Sequence, residues 1–495
     1  MNLDGFLRKL IAGSGITLIS LLFVKTMAIV NSVICARLLT PADYGAFSIV
    51  VNLQNLAVIV ACFGIPLAMI KHVSHYERNQ RDLARALGSV LMIMLVVSSV
   101  LTAIGYFILS YTIAANLYDD TGLVSVLRLS SLIVFVSSVN LGLSALLQGC
   151  QKITSLATVN VIVAAVAQPV AFASIGILGL DGAILSLVIS NSLSVALLSY
   201  LTMKAFPISI KSAKAVLGEK ERIRSLVAFA IPAFASGIVI VVAGWIGRTM
   251  LALEWDFTSV GHFQIADSLS QTVLVFSAAM SMPLLPMISE IHSKYPGKAA
   301  RDSAGLLRIT VFLAIPLSFL VLPLIPPAIS VLYGADYQLA HVVTVIMFCA
   351  ATYKLMSTVV SNVILGMGRV WDALLLNLAW LGGFLVLMYI MVGENGSNGL
   401  AAAFTISFAG HHLLLLAYFW REFRIPVLRI AAVCTAYGPA VLFYVLYIAE
   451  SSTLERVATA CLLAATFATV CYFFVLGRTD RDSLKSMSWI ALGRK

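Results

Sequence analysis

The sequence predicts an all-α polytopic membrane protein with about 14 transmembrane helices. Composition, the spacing of apolar runs and the placement of basic residues carry that expectation. Hydrophobic residues make up 60% of the chain's 495 residues and charged residues only 11%, against about 25% charged in an ordinary soluble domain. A soluble fold of this composition would expose apolar patches large enough to aggregate. A bilayer removes the conflict, because apolar side chains can face lipid. Helices follow because each satisfies its own backbone hydrogen bonds in lipid. A β-barrel would show short alternating segments, and these runs are long and continuous.

Each crossing needs about 20 mostly apolar residues to span a core of roughly 30 Å. Such runs occupy 11–35, 44–70, 87–114, 123–147, 154–177, 182–203 and 226–251. They continue at 260–288, 305–332, 338–365, 371–392, 398–419, 428–449 and 455–476. The first follows Arg8 and Lys9; it is too long for a signal-peptide core and lacks a small-residue cleavage site, so it is read as a retained span. Polar stretches such as Leu39-Thr40-Pro41-Ala42-Asp43 and Gly393-Glu394-Asn395-Gly396-Ser397-Asn398 punctuate the series.

Charge tests the count. With both termini cytoplasmic, the inner connections and the two ends hold 26 of the 32 basic residues, the bias that the positive-inside rule requires. One span more or fewer would scramble the alternation. The net charge of +10 is then topology, a basic inner surface against anionic lipid headgroups, and calls for no nucleic-acid partner.

The connection 204–225 carries six basic positions and divides the chain after the sixth span. The two sides look related. Tyr44-Gly45-Ala46-Phe47-Ser48-Ile49 with Pro66 beyond it is echoed by Val260-Gly261-His262-Phe263-Gln264-Ile265 with Pro283 beyond it, offset by 216 at the glycines and 217 at the prolines. Six spans per half is an even number, so the halves form a parallel repeat about an axis along the membrane normal. The expected organisation is an N-lobe at 1–203, the basic connection, a C-lobe at 226–420, spans 13 and 14 at 421–477 and a cytoplasmic tail at 478–495.

Function is sought where membrane physics is violated, since a charge at a helix centre costs roughly 2.5–3.5 kcal/mol on insertion scales. Lys25 lies near the middle of span 1, Lys354 near the middle of span 10, and Arg248 in the outer part of span 7. Lys25 and Lys354 stand about 15 Å from the nearest span end at 1.5 Å per residue, beyond easy snorkelling; Arg248 can reach outward. The candidate acids Glu254, Asp256 and Asp267 lie toward outer ends, so an unpaired cationic cavity that selects an anion such as phosphate is favoured over buried ion pairs. His411 and His412 in span 12, Asp267, and Arg37 beside the first outer connection are further candidates for a cavity or for ion coupling. Asn31, Asn52, Gln54, Asn55, Asn140, Gln148, Asn160, Gln168, Asn191, Gln271 and Asn377 recur within the spans, either as interhelical hydrogen-bonding groups or as a wet wall that accepts sugar hydroxyls. The seven cysteines sit in or beside apolar runs without close pairs and are read as small buried hydrophobes, so neither disulfides nor a metal site is expected. No G-x-S-x-G, H-E-x-x-H or phosphate-cradling glycine loop is present; neither an enzyme nor a cofactor is expected.

Ala36-Arg37-Leu38-Leu39-Thr40-Pro41-Ala42-Asp43-Tyr44-Gly45-Ala46-Phe47 resembles the first outer loop of the Wzx-type flippases for lipid-linked oligosaccharides, in the multidrug/oligosaccharidyl-lipid/polysaccharide (MOP) superfamily. Ser281-Met282-Pro283-Leu284-Leu285-Pro286-Met287-Ile288-Ser289-Glu290 is similar to the end of that family's eighth span, and Leu332-Tyr333-Gly334-Ala335-Asp336-Tyr337 to its turn between spans 9 and 10. The resemblance implies two six-helix lobes in a V with alternating access between them. It implies a cationic cavity handling a polyprenyl-pyrophosphate-linked oligosaccharide, such as an O-antigen, capsule or exopolysaccharide repeat unit, in the inner membrane. Expected partners are that lipid-linked substrate, membrane lipids and glycan polymerase or assembly proteins, with the chain a monomer. Relatives often carry an acid before the span 7 arginine, where this chain has Gly247. Two alternatives stand beside this reading: a cation-coupled multidrug exporter, which wants mid-membrane carboxylates, and a lipid II-type peptidoglycan precursor flippase, which also has an extra pair of spans.

Overall fold

The structure, a computed structural model, describes residues 3–76, 80–206, 220–274, 288, 296–425, 427–448, 451–477, 480 and 481; those described are helical or in turns, with no strand among them. Ten helical segments among them are long and apolar enough to cross a membrane. Two of the ten are double. Helix α6, Ile153–Ala205, runs for 53 residues, and α12, Val370–Phe423, for 54. As straight rods these would measure about 80 Å at 1.5 Å per residue, far more than a bilayer core. Each breaks at one glycine in a backbone region open chiefly to glycine: Gly179 at φ 57°, ψ −128° and Gly396 at φ 54°, ψ −130°. The breaks fall between expected spans 5 and 6 and between 11 and 12. The fold-back of α12 brings Arg369, just before it, within 2.7 Å of Glu422 Oε2 and 2.9 Å of Tyr418 Oη at its far end. The Tyr418 hydroxyl and the Glu422 carboxylate raise the Arg369 pKa further above its usual range.

The chain forms two compact units, one of Ile19–Gln264 and the other of Met1–Leu18 with Ile265–Lys495. The first holds most of α1 (Leu3–Leu38), then α2 (Pro41–Cys62), α3 (Ile65–Tyr76), α4 (Arg81–Thr112), α5 (Leu123–Gly149), α6, α7 (Lys220–Glu254) and the start of α8 (Phe257–Ser270). In it α5 packs against α6, α4, α3 and α2, and α2 packs against α7. The second holds α9 (Pro296–Val321), α10 (Ile325–Leu332), α11 (Ala340–Gly366), α12, α13 (Leu428–Phe443) and α14 (Thr453–Val470). In it α11 packs against α12 and α9, and α14 lies along α9.

The repeat extends well beyond the glycines that suggested it. Helices α5 and α11 are both 27 residues long and start 217 residues apart, at 123 and 340. Helices α6 and α12 start at 153 and 370, and their breaks fall at 179 and 396, the same offset. A Cβ on Gly182 would strike the Ser174 carbonyl, and one on Gly399 the Met391 carbonyl, again 217 apart. Spans 13 and 14 are anchored within the second unit. Tyr437 Oη donates to Ser318 Oγ at 2.8 Å, Tyr353 Oη to Cys434 O at 2.6 Å, and the Phe319 ring lies 5.4 Å from Tyr437 and 5.3 Å from Phe467. Beyond α14, Asp480 accepts from Arg308 Nε at 2.6 Å and Nη2 at 3.3 Å.

Hydropathy misses interruptions within three of its runs. The apolar run 44–70 is two helices, parted at Phe63 (φ 44°) and Gly64 (φ 73°). A Cβ on Gly64 would strike the Ala230 carbonyl of α7, so the break lets two backbones meet. In the run 305–332, Pro323 and Pro326 replace a continuous helix with a 3-10 turn and the short α10. The run 260–288 is helical to Ser270 and then turns.

Candidate functional site

Around Arg248 the segment from Thr40 onward explains its own sequence. Thr40 caps α2, its hydroxyl accepting from Asp43 N at 3.1 Å, and Pro41 follows at the first helical position, where no backbone donor is needed. One turn later Gly45 meets α8. A Cβ there would strike the Phe257 carbonyl and stand 3.0 Å from Gly261 N, while a Cβ on Gly261 would strike the Pro41 carbonyl. The glycines singled out as repeat equivalents therefore touch each other across a helix crossing. So do their neighbours one turn on: Ser48 Oγ donates to Gln264 Oε1 at 2.6 Å, across the same offset of 216. Arg248 joins this pair, with Nε 3.1 Å from Ser48 Oγ, Nη2 3.3 Å from Gln264 Oε1 and Nη1 3.2 Å from Gly244 O. Its guanidinium lies 5.2 Å from the Phe263 ring centroid. At 4% exposure Arg248 is buried, and its hydrogen bonds tie α7 to the α2–α8 crossing. Sequence reasoning missed Ser48 and Gln264 as its partners, although the 216 offset had paired them.

Lys25 is exposed on α1, and among the described residues it has no hydrogen bond or ion pair. Its neighbour Val24 lines a cavity of about 260 Å³ within the first unit. Five of the eleven polar residues flagged in the spans meet in that cavity: Asn31, Asn140, Asn160, Gln168 and Asn191. The other six do not line it.

In the second unit Lys354 is half-buried on α11, with Nζ 5.6 Å from the Phe408 ring centroid of α12. His412 is fully buried, its Nδ1 3.4 Å from Ser357 Oγ. His411, also buried, stands edge-on to Trp380, with ring centroids 6.4 Å apart. The Nδ1 of His411 and the Nε2 of His412 have no hydrogen-bond partner among the described atoms. Trp380 stacks on Phe384 and Phe408, and Phe384 packs on Phe404. Lys354 and His411 thus touch one aromatic cluster, through Phe408 and Trp380. Asp267 accepts from Gln271 Nε2 at 3.2 Å, one turn on. Arg37 is exposed in the last turn of α1, where a cation complements the helix dipole. Of the motif 281–290, only Ile288 lies among the described residues. Tyr333 and Tyr337 are buried with their rings edge-to-face, and Gly334 between them takes φ 101°.

Comparison with known proteins adds the family. The sequence profile described as polysaccharide biosynthesis protein matches residues 10–292. The chain belongs to the polysaccharide biosynthesis protein family. Its match to that family takes in α1 to α8, and with them Lys25, the five amides and the Arg248 clamp; Lys354 and the histidines lie beyond it. Among curated proteins, this family member is 24% identical over 255 residues to the lipid III flippase of Escherichia coli K12, a match covering 51% of this chain and 61% of the relative's length. Among solved structures it is similar to the lipid II flippase MurJ in an inward closed conformation, with a TM-score of 0.67 at 14% identity over 92% of this chain and 98% of that one. It is also similar to an inward-facing multidrug resistance MATE family transporter of the MOP superfamily, with a TM-score of 0.66 at 12% identity over 81% and 94%. The fold is that of the MOP superfamily, and the chain is a multi-pass membrane protein.

Proposed function

We propose that this protein is a flippase that carries a polyprenyl-pyrophosphate-linked oligosaccharide from the inner to the outer leaflet of the cytoplasmic membrane by alternating access. The observation that carries the reading is Lys25: a cation midway along α1, the helix that the sequence reads as the first span, exposed and with no acidic partner among the described residues. A cost of this kind is met where an anion is bound, and a pyrophosphate at membrane depth is such an anion. Lys354 is the second cation of the set, with Arg248 closing the α2–α8 crossing. In this reading the chain has fourteen spans, both termini are cytoplasmic, the lobes are 1–203 and 226–420, and the monomer hands its cargo to glycan polymerase or assembly proteins. Family membership supports the glycan, and the curated relative is itself named a flippase of a lipid-linked precursor.

The likeness to MurJ supports a second reading, a lipid II-type precursor as cargo. A cation-coupled drug exporter shares the fold, but among the described residues no carboxylate lines the cavity beside α1. The test is translocation in proteoliposomes of a fluorescent polyprenyl-pyrophosphate glycan, scored by accessibility to an external lectin. Lys25→Ala with Lys354→Ala is expected to insert normally and to lose translocation by at least about tenfold, since one lost charge-assisted contact is worth roughly 1.5–3 kcal/mol. Unchanged transport by the double variant would remove these residues from the binding site.

A further inference from the structure

We infer that the cavity beside Lys25 is a recognition site for one uncharged sugar ring, the one joined directly to the pyrophosphate. This rests on the flippase reading and adds what that reading lacks, a place where the glycan is told apart from others.

The cavity gathers amides from three helices: Asn31 on α1, Asn140 on α5, and Asn160, Gln168 and Asn191 on the two arms of α6. Ser190 and Ser194 add hydroxyls, and no Asp, Glu, Lys, Arg or His lines it among the described residues. At about 260 Å³ it falls just under the roughly 300–1,000 Å³ of ordinary ligand pockets. It suits one ring, not an oligosaccharide.

The wiring of the amides selects what can bind. Asn191 Nδ2 donates to Leu187 O at 2.9 Å, which fixes the orientation of that amide because a carbonyl only accepts. Its Oδ1 then accepts from Ser137 Oγ at 3.3 Å and from Asn140 Nδ2 at 3.4 Å. Asn140 Oδ1 in turn accepts from Ser144 and Ser194 at 3.4 and 3.3 Å. Both carbonyl oxygens are already engaged twice, so each amide has only its second N–H to offer. Gln168 Nε2 is held by Ala164 O at 2.9 Å, and its buried Oε1 has no partner among the described atoms. The wall therefore offers amide N–H donors at Asn140 and Asn191 and hydroxyl oxygens at Ser190 and Ser194, whose own protons go to Ser186 O and Asn140 Oδ1. A hydroxyl or acetamido group matches that mixture, since it accepts and donates. A metal cation or a drug ammonium would find no carboxylate among the described lining residues. A pyrophosphate would sit without a counter-charge among the described lining residues, and Lys25, which follows Val24 of the wall in α1, is exposed. Phosphate at Lys25 and ring in the cavity is the arrangement that satisfies both.

The test compares binding of polyprenyl pyrophosphate without sugar to the same lipid bearing one neutral sugar (N-acetylglucosamine, glucose or galactose), using the full-length protein in nanodiscs. Wild type is expected to bind at least one sugar-bearing lipid about tenfold tighter than the bare lipid, as two net hydrogen bonds would give. Asn160→Leu with Gln168→Leu should bring that ratio to about one. These positions hold no other helix in place, and unchanged binding of the bare lipid shows that the variant is folded. Lys25→Ala should weaken every lipid while keeping the sugar ratio. A wild-type ratio of one for all three sugars, with Lys25-dependent binding of the bare lipid, overturns the cavity assignment and leaves the flippase reading standing. A ratio that survives the double leucine variant overturns it too. Stabilisation of wild type by sodium alone, lost in the double variant, would make the cavity a cation site instead. Binding of none of these lipids by wild type overturns both readings.

Discussion

The two halves of this protein are one backbone plan with two different linings. Ser137 and Asn191 in the first half correspond, 217 residues on, to Lys354 and Phe408 in the second. In the first half the pair is a hydrogen bond, 3.3 Å from Oγ to Oδ1; in the second it is an ammonium 5.6 Å from an aromatic centroid. Asn140, hub of the amide network, corresponds to Ser357, which contacts His412. Ser194 corresponds to His411. The backbone breaks are identical in kind, while the equivalent side chains on the same hairpins share almost no chemistry. In one half they are neutral and polar, and in the other they bring aromatic rings and a cation.

That comparison can be broken most easily at the helix crossing. Gly45→Ala and Gly261→Ala each drive a methyl into a backbone carbonyl of the facing segment. Neither carbonyl can yield without parting α2 from α8. Each is expected to cost about 3 kcal/mol, the upper range for overpacking, measured as a loss of melting temperature in detergent. Equal losses support a symmetric crossing, and a large loss at one glycine alone would break it.

The hairpin glycines come next. Gly179→Ala meets no neighbouring atom within 4 Å, so its cost is the strained positive-φ backbone alone, about 1–3 kcal/mol. Gly396→Ala should match it within about 0.5 kcal/mol if the two breaks are equivalent, since such distant sites behave independently. A larger disparity in unfolding would show that one break is held by packing the other lacks.

Phe408→Asn gives the second half the residue of the first. It removes the contact to Lys354, worth about 0.5–2 kcal/mol, together with a buried ring stacked on Trp380, so translocation of a pyrophosphate-linked glycan should fall together with the melting temperature. The smallest effect is expected at Glu422→Gln. Its pair with Arg369 is more than a third exposed on each side, so the loss should stay below about 1 kcal/mol.

Much of this was legible beforehand. Polar punctuation and hydropathy located both hairpin breaks, because a fold-back in a membrane must surface at a polar end. The repeat was visible at Gly45 and Gly261, since only glycine tolerates that crossing. The break at Phe63-Gly64 was hidden, because a left-handed pair does not lower hydropathy when both flanks stay apolar. The convergence of Asn31, Asn140, Asn160, Gln168 and Asn191 was hidden for another reason: three helices supply them, and one-dimensional spacing does not tell which faces meet. Arg248 was found by its depth in the membrane, but its role as a tie between helices depended on Ser48 and Gln264, which read as ordinary small-polar glue.

The central claim is that the cargo is an anionic, lipid-linked glycan. The most direct measurement presents proteoliposomes of the purified protein with two probes in parallel, a fluorescent polyprenyl-pyrophosphate glycan and a lipophilic fluorescent cation under a sodium or proton gradient. The account predicts Lys25-dependent movement of the glycan lipid between leaflets and no gradient-driven movement of the cation. Gradient-driven export of the cation with the glycan lipid left in place would contradict it.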